Sequence, residues 1–92
     1  MAAYNIGTLS LSLGMLDRAE KEFRKALKIG EKEPEIFNNL AATLIQRGHI
    51  QEAIECCQDG LKLHKDYPQL NITMASAWEL SNNLEAAGEE AR

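Results

Sequence analysis

Displacing the 92-residue sequence by 34 positions brings small and apolar residues onto one another without a gap. This internal period constrains the fold more than any other feature. Ile6, Leu40 and Met74 superpose, followed by Gly7, Ala41 and Ala75. Gly14 and Gly48 coincide, with Asn82 one period further on. Leu16, Ile50 and Leu84 coincide, as do Ala19, Ala53 and Ala87. Leu27 falls on Leu61, Ile29 on Leu63 and Pro34 on Pro68. So many coincidences at one offset describe duplicated structural units that bury their apolar faces by stacking.

The pattern inside each unit is helical. Ile36, Phe37, Leu40, Ala41, Leu44 and Ile45 recur at i, i+3, i+4 and i+7, which makes one helix face. Gly48 then supplies a stop, because glycine tolerates the left-handed conformation that ends many helices. Ile50, Ala53, Ile54, Cys57 and Leu61 form a second periodic set, and Pro68 suits the start of the next helix. The spacing predicts helices over 2–14, 17–29, 35–47, 51–64, 69–81 and 84–91. These make three helix-turn-helix pairs in one all-α domain, residues 1–92. The units are 1–33, 34–67 and an incomplete 68–92.

These residues resemble the tetratricopeptide repeat (TPR). Unit one reads Ala19-x3-Phe23-x2-Ala26, which fits the family's second helix fully. Unit two keeps the spacing as Ala53, Cys57 and Gly60 but loses the aromatic, and unit three keeps Ala87 and reaches Ala91. Trp78 stands where the family usually carries tyrosine, and Leu44 holds that place in unit two. The resemblance covers essentially the whole chain. It implies antiparallel helix pairs stacked as a right-handed solenoid, in which small residues let paired helices approach closely. A bulky replacement such as Ala53→Phe is expected to overpack the pair.

Composition narrows the function. Only 5% of residues are aromatic and two are proline, which disfavours a sandwich or barrel. A net charge of −4 argues against a nucleic-acid partner, and no apolar run reaches the roughly 18 residues of a membrane span. Nothing at the start reads as a signal peptide. Cys56 and Cys57 are adjacent, so a disulfide between them would be strained, and His49 and His64 are solitary. No metal or other cofactor is expected. Cys57 is expected to be a buried, inert thiol, in keeping with a reducing, cytoplasmic compartment. No nucleophile motif, phosphate loop or dinucleotide fingerprint is present, so no enzymatic activity is expected.

Binding has the stronger case. In a stack of this kind the first helix of each unit lines a concave face. By register that face takes Tyr4, Asn5, Thr8 and Ser12 from unit one. It takes Glu35, Asn38, Asn39, Ala42 and Gln46 from unit two, and Gln69, Ile72, Thr73 and Ser76 from unit three. Asn5 and Asn39 lie one period apart, and asparagine offers both donor and acceptor to the backbone of an extended peptide. The candidate peptide-binding residues are therefore Tyr4, Asn5, Thr8, Glu35, Asn38, Asn39, Gln46, Gln69 and Thr73. Chaperone-binding members of the family hold a C-terminal carboxylate with lysine, arginine and two asparagines. The matching positions here hold Tyr4, Thr8, Asn39, Gln69 and Thr73, with no cation, so a chaperone carboxylate tail is not expected.

Charge is graded along the chain, from +1 over residues 1–33 to −2 over 34–67 and −3 over 68–92. By register Met1 already lies inside a first helix and Arg92 inside a second, which suggests a segment of a longer array. Two functions follow. One is a protein-interaction scaffold holding an extended segment or helix of a protein partner in its groove. The other is an assembly element that forms homo-oligomers through its open end helices.

Overall fold

The computed structural model describes residues 3–90, with side chains as far as Asn83. Five helices follow in order: α1 (Ala3–Ser12), α2 (Leu16–Lys28), α3 (Pro34–Gln46), α4 (Ile50–Leu63) and α5 (Pro68–Glu90). There is no strand among the described residues. The architecture is an all-α solenoid of packed helix pairs, as expected, and the first four predicted helices are matched to within two residues at each end.

Three turns share one construction. Gly14, Gly30 and Gly48 have φ of 76°, 97° and 84°, the left-handed region that glycine enters without a Cβ clash. After α1, the Met15 amide donates to the Ser10 carbonyl and Gly14 to Leu11. The pairs Glu31–Ala26 with Gly30–Leu27, and His49–Leu44 with Gly48–Ile45, repeat the pattern after α2 and α3. Each turn thereby satisfies the last helical carbonyls, the Schellman arrangement. Helix α4 ends without a glycine. The His64 amide returns to the Gly60 carbonyl, and the His64 ring Nε2 bonds the Lys32 carbonyl, tying the α2–α3 loop to the end of α4.

The two complete pairs solve the same packing problem from opposite sides. In unit one the second helix carries the large ring. Phe23 is fully buried against Gly7, where an added Cβ would stand 2.7 Å from the ring. In unit two the first helix carries it, because Phe37 lies over Gly60, where an added Cβ would stand 2.8 Å from the Phe37 Cβ. Cys57, in the place of Phe23, is fully buried as well, and the large ring of this pair comes from α3 one turn further along. Ala19, Ala26, Ala41 and Ala53 are all fully buried, as their place at close helix contacts requires.

The third unit departs from expectation. Residues 82–83 do not form a turn, and the predicted sixth helix, 84–91, continues α5 instead, with residues 91–92 outside the described ones. The reason lies at Asn82, where units one and two place Gly14 and Gly48. A residue with a Cβ pays roughly 1–2 kcal/mol in the left-handed region, whereas continuing the helix adds a backbone hydrogen bond per residue.

Stacking sets the curvature. Helix α2 packs on α3 and α4 on α5, while α3 also touches both α1 and α5. The backbones of the second helices α2 and α4 stay further apart, and only side chains such as Arg24 and Glu52, 4.0 Å apart, meet across the gap. First helices therefore form the inside of the curve and second helices splay on the outside. The described body measures 48 × 29 × 19 Å.

A groove along the first helices as candidate functional site

Helices α1, α3 and α5 bring most of the candidate residues to one face. Asn5, Glu35, Gln46 and Gln69 are exposed there, and Tyr4, Thr8, Asn38, Asn39 and Thr73 are half-buried. Not all of their polar atoms are free. Thr73 Oγ1 donates to Asn38 Oδ1 at 2.6 Å, so the Asn38 carbonyl oxygen fastens α3 to α5. Thr8 Oγ1 donates to the Tyr4 carbonyl at 2.9 Å, and Thr43 Oγ1 to the Asn39 carbonyl at 2.8 Å. Both bonds return a helical hydroxyl to the carbonyl four residues earlier. Neither bond occupies the Asn39 side-chain amide. Asn5 and Asn39 keep the spacing of one unit along the face, and Asn5 is the more exposed of the two.

An open pocket of about 450 Å³ lies where α1 meets the start of α3. Tyr4, Glu35 and Ile36 line it together with Glu31 and Glu33 from the α2–α3 loop. The Tyr4 ring rests on the core, its centroid 6.2 Å from that of Phe23. Tyr67, just before α5, belongs to the same neighbourhood. Its phenol is held above its ordinary range by burial, and further by the negative charge of Glu35 and by Tyr4. Glu31, Glu33, Ile36 and Tyr67 were not among the residues expected from sequence. The alternating run Glu31-Lys32-Glu33-Pro34-Glu35 was the signal available, since it sits at a loop entering a first helix.

The outer side is different. Between α2 and α4 a narrow cleft of about 160 Å³ reaches Leu27, Phe37, Leu40 and Leu44, with Cys56 on its wall. Arg24, Glu52, Glu55 and Asp59 rim it. Cys56 Sγ donates to the Phe37 carbonyl at 3.2 Å. Burial pushes the Cys56 thiol up to about 12 and Cys57 up to about 11. Cys57 is buried as expected, and both cysteines are free thiols. No group of three or more His, Cys, Asp or Glu is placed to hold a metal ion among the described residues. No helix among them is long and apolar enough to cross a membrane.

Paired helices stacked so that first helices line an open groove define a helical-repeat protein. The sequence narrows that class to a particular family. Residues 10–71 match the family model described as tetratricopeptide repeat, and the chain belongs to that family. It is 31% identical over 75 residues to Tetratricopeptide repeat protein 8 of Mus musculus, covering 79% of this chain and 15% of that protein. The Homo sapiens protein of the same name gives 31% over 75 residues and 14% of its length. Protein O-mannosyl-transferase TMTC1 of Homo sapiens is 31% identical over 75 residues, 82% of this chain and 8% of that protein. The chain thus spans about a seventh or less of the length of these relatives. The matched family segment runs from the end of α1 to the start of α5 and takes in α2, α3 and α4 whole.

Proposed function

We propose that the chain is a non-enzymatic protein-interaction module that holds an extended segment or a helix of a partner in the groove along α1, α3 and α5. The observation that carries this reading is the asymmetry of the stack. First helices touch one another while second helices splay, which leaves a continuous inner face of amides, hydroxyls and two tyrosines. Side-chain amides there offer donors and acceptors to a peptide backbone, and Tyr4 offers a flat anchoring surface. The carboxylates of Glu31, Glu33 and Glu35 at the α1–α3 end favour a segment with positive charge and oppose an acidic tail. The share of the transferase relative that is matched is too small to carry that protein's named activity to this chain.

The reading is tested by selecting peptides from a displayed random library on the 92-residue protein and measuring their affinity for variants. Tyr4→Ala and Asn39→Ala are expected to weaken the selected peptides about tenfold each, roughly 1.4 kcal/mol. Glu55→Ala, on the outer cleft, is expected to leave affinity unchanged. Peptides that respond to Glu55→Ala and ignore both groove variants would place binding on the wrong face. A second reading, assembly through the end helices, is favoured by Leu9, Leu13 and Met15, which are all exposed around the end of α1. Light scattering separates the two, since a monomer at all concentrations is incompatible with assembly.

A further inference from the structure

The two complete second helices carry opposite charge at equivalent positions. Arg18, Lys21, Lys25 and Lys28 recur along α2 at spacings of three, four and three, and all four are exposed. At about 100° per residue they fall within an arc of about 80°, on the side of the helix opposite the buried Phe23. One period on, α4 carries Glu52, Glu55, Asp59 and Lys62, also exposed and opposite the buried Cys57. The outer side of the stack therefore shows a row of four cations beside a row of three acids and one lysine. Among the described residues none of the four α2 cations takes part in an ion pair. Within the chain, α2 reaches the acidic row through Arg24, on its flank, 4.0 Å from Glu52.

A single occupant that meets both rows must carry an acidic surface for α2 and a basic one for α4, side by side. This chain does. Two copies laid outer face to outer face are related by a two-fold axis running either across the helices or along them. An axis across them sets α2 on α2 and α4 on α4, like charge on like. An axis along them sets α2 of each copy on α4 of the other, so the complementary contact is made twice. Residues one period apart stand at equivalent levels of their units, so Arg18 comes level with Glu52, Lys21 with Glu55 and Lys25 with Asp59. Lys28 comes level with Lys62, the one like pair, where Asp59 already lies 3.9 Å from the Lys62 ammonium. The axis passes over the outer cleft and covers its apolar floor of Leu27, Leu40 and Leu44.

We propose that the outer face of α2 and α4 docks a second copy of this chain, as a two-fold dimer held by the row on α2 against the row on α4. The contact leaves the groove along α1, α3 and α5 open, so each dimer offers two grooves facing away from each other. It does not use Leu9 and Leu13, the exposed side chains around the end of α1. Its dependence on salt has a definite form. At about 0.1 M the Debye length of about 10 Å matches the spacing of packed helices, so the rows attract while the −4 charges of the two whole chains are largely screened. At about 1 M it falls to about 3 Å and the rows are screened as well.

Sedimentation velocity on the 92-residue protein tests this. A dimer is expected at about 0.1 M salt and a monomer at about 1 M. Lys21→Glu with Lys25→Glu, and separately Glu55→Lys with Asp59→Lys, are each expected to weaken the dimer at least about tenfold, since like rows then face each other. All four positions are exposed, so helix content by circular dichroism should be unchanged. An equimolar mixture of the two variants is expected to restore the dimer, because each chain then meets its complement in both contacts. The chain carrying all four reversals should dimerise as well, and Leu9→Ser with Leu13→Ser should leave the dimer unchanged. A monomer at every salt concentration overturns the proposal, as does a mixture that stays monomeric. A dimer lost in the Leu9 and Leu13 variant overturns it too, by moving association to the end helix. Species larger than a dimer overturn the two-fold arrangement, since a head-to-tail contact does not close at two copies.

Discussion

Glycine does two unrelated jobs in this chain, and substitution to alanine separates them. Gly48 has φ of 84° and open space where a Cβ would stand, so alanine there meets strain and no collision. Gly60 has ordinary helical geometry, but its Cβ would lie 2.8 Å from the Phe37 Cβ and 2.9 Å from Leu70 Cδ1. The Phe37 Cβ is fixed to the backbone and cannot swing aside, so α3 itself must move. Gly48→Ala is expected to cost about 1 kcal/mol. Gly60→Ala is expected to cost roughly 1–3 kcal/mol from overpacking, offset by about 1 kcal/mol of helix propensity. The distinguishing measurement is the double variant Phe37→Leu with Gly60→Ala, followed by urea unfolding. Leucine keeps the Cβ and Cγ that the new methyl meets, so most of the Gly60 penalty should remain. Its smaller end lets α3 shift and the two changes should be non-additive, while Gly48→Ala should stay additive with Phe37→Leu. The need for a turn at Gly48 was legible in the sequence, because the residue follows a periodic run. The need for a small residue at Gly60 was legible only as a shrunken alanine. That Phe37 fills the space depends on which helix of the pair carries the ring, and a single sequence does not encode that in its spacing.

At the scale of elements, ion pairs on the outer side join α2 to α3. Arg47, at the end of α3, reaches Asp17 at 2.6 Å and Glu20 at 2.9 Å, and Arg24 holds Glu20 from its own helix at 2.8 Å. Burial alone would raise the Glu20 pKa. The Arg24 hydrogen bond and charge, with Arg47 and His49, outweigh it and hold the carboxyl below its ordinary value. A carboxyl lowered on folding contributes stability above its unfolded pKa of about 4.3, and that contribution fades as pH falls through the lower folded value. Glu20→Gln is therefore expected to lose stability at pH 7 and to show a shallower decline below about pH 4.5. Denaturant midpoints measured from pH 7 to pH 3 check this, and parallel curves for wild type and variant would refute it. Arg47→Ala should cost only about 0.5–1 kcal/mol, since its partners remain partly hydrated. The pair Glu20–Arg24 was visible in the sequence at i, i+4. Arg47 was not, because its reach spans 27 residues and depends on how α3 lies against α2. The same limit explains α5, whose register predicted a turn that the residue at position 82 does not enforce.

Over the whole molecule, the two cysteines report whether the stack unfolds as one body. Both lie on α4, Cys57 fully buried and Cys56 8% exposed on the wall of the outer cleft, with its thiol bonded to the Phe37 carbonyl. Burial pushes the thiols up to about 12 and 11, which disfavours the reactive thiolate in the folded protein. Reaction with an aromatic disulfide reagent is therefore expected to proceed through opening. Phe37 and Leu70 pack against Gly60 from either side, one turn beyond the two thiols, so α4 is held by both of its neighbours close to the cysteines. The expected result is modification of both cysteines at a common rate, with an apparent opening free energy equal to that from urea unfolding. Gly60→Ala should accelerate both thiols by the factor its equilibrium destabilisation predicts, provided opening is fast relative to reaction. Were Cys56 to react ahead of Cys57, the outer cleft that carries Cys56 on its wall would be opening without the rest. The second unit would then be a separate cooperative body, and the nearest-neighbour coupling that repeat stacks rely on would be weak across α3 and α4.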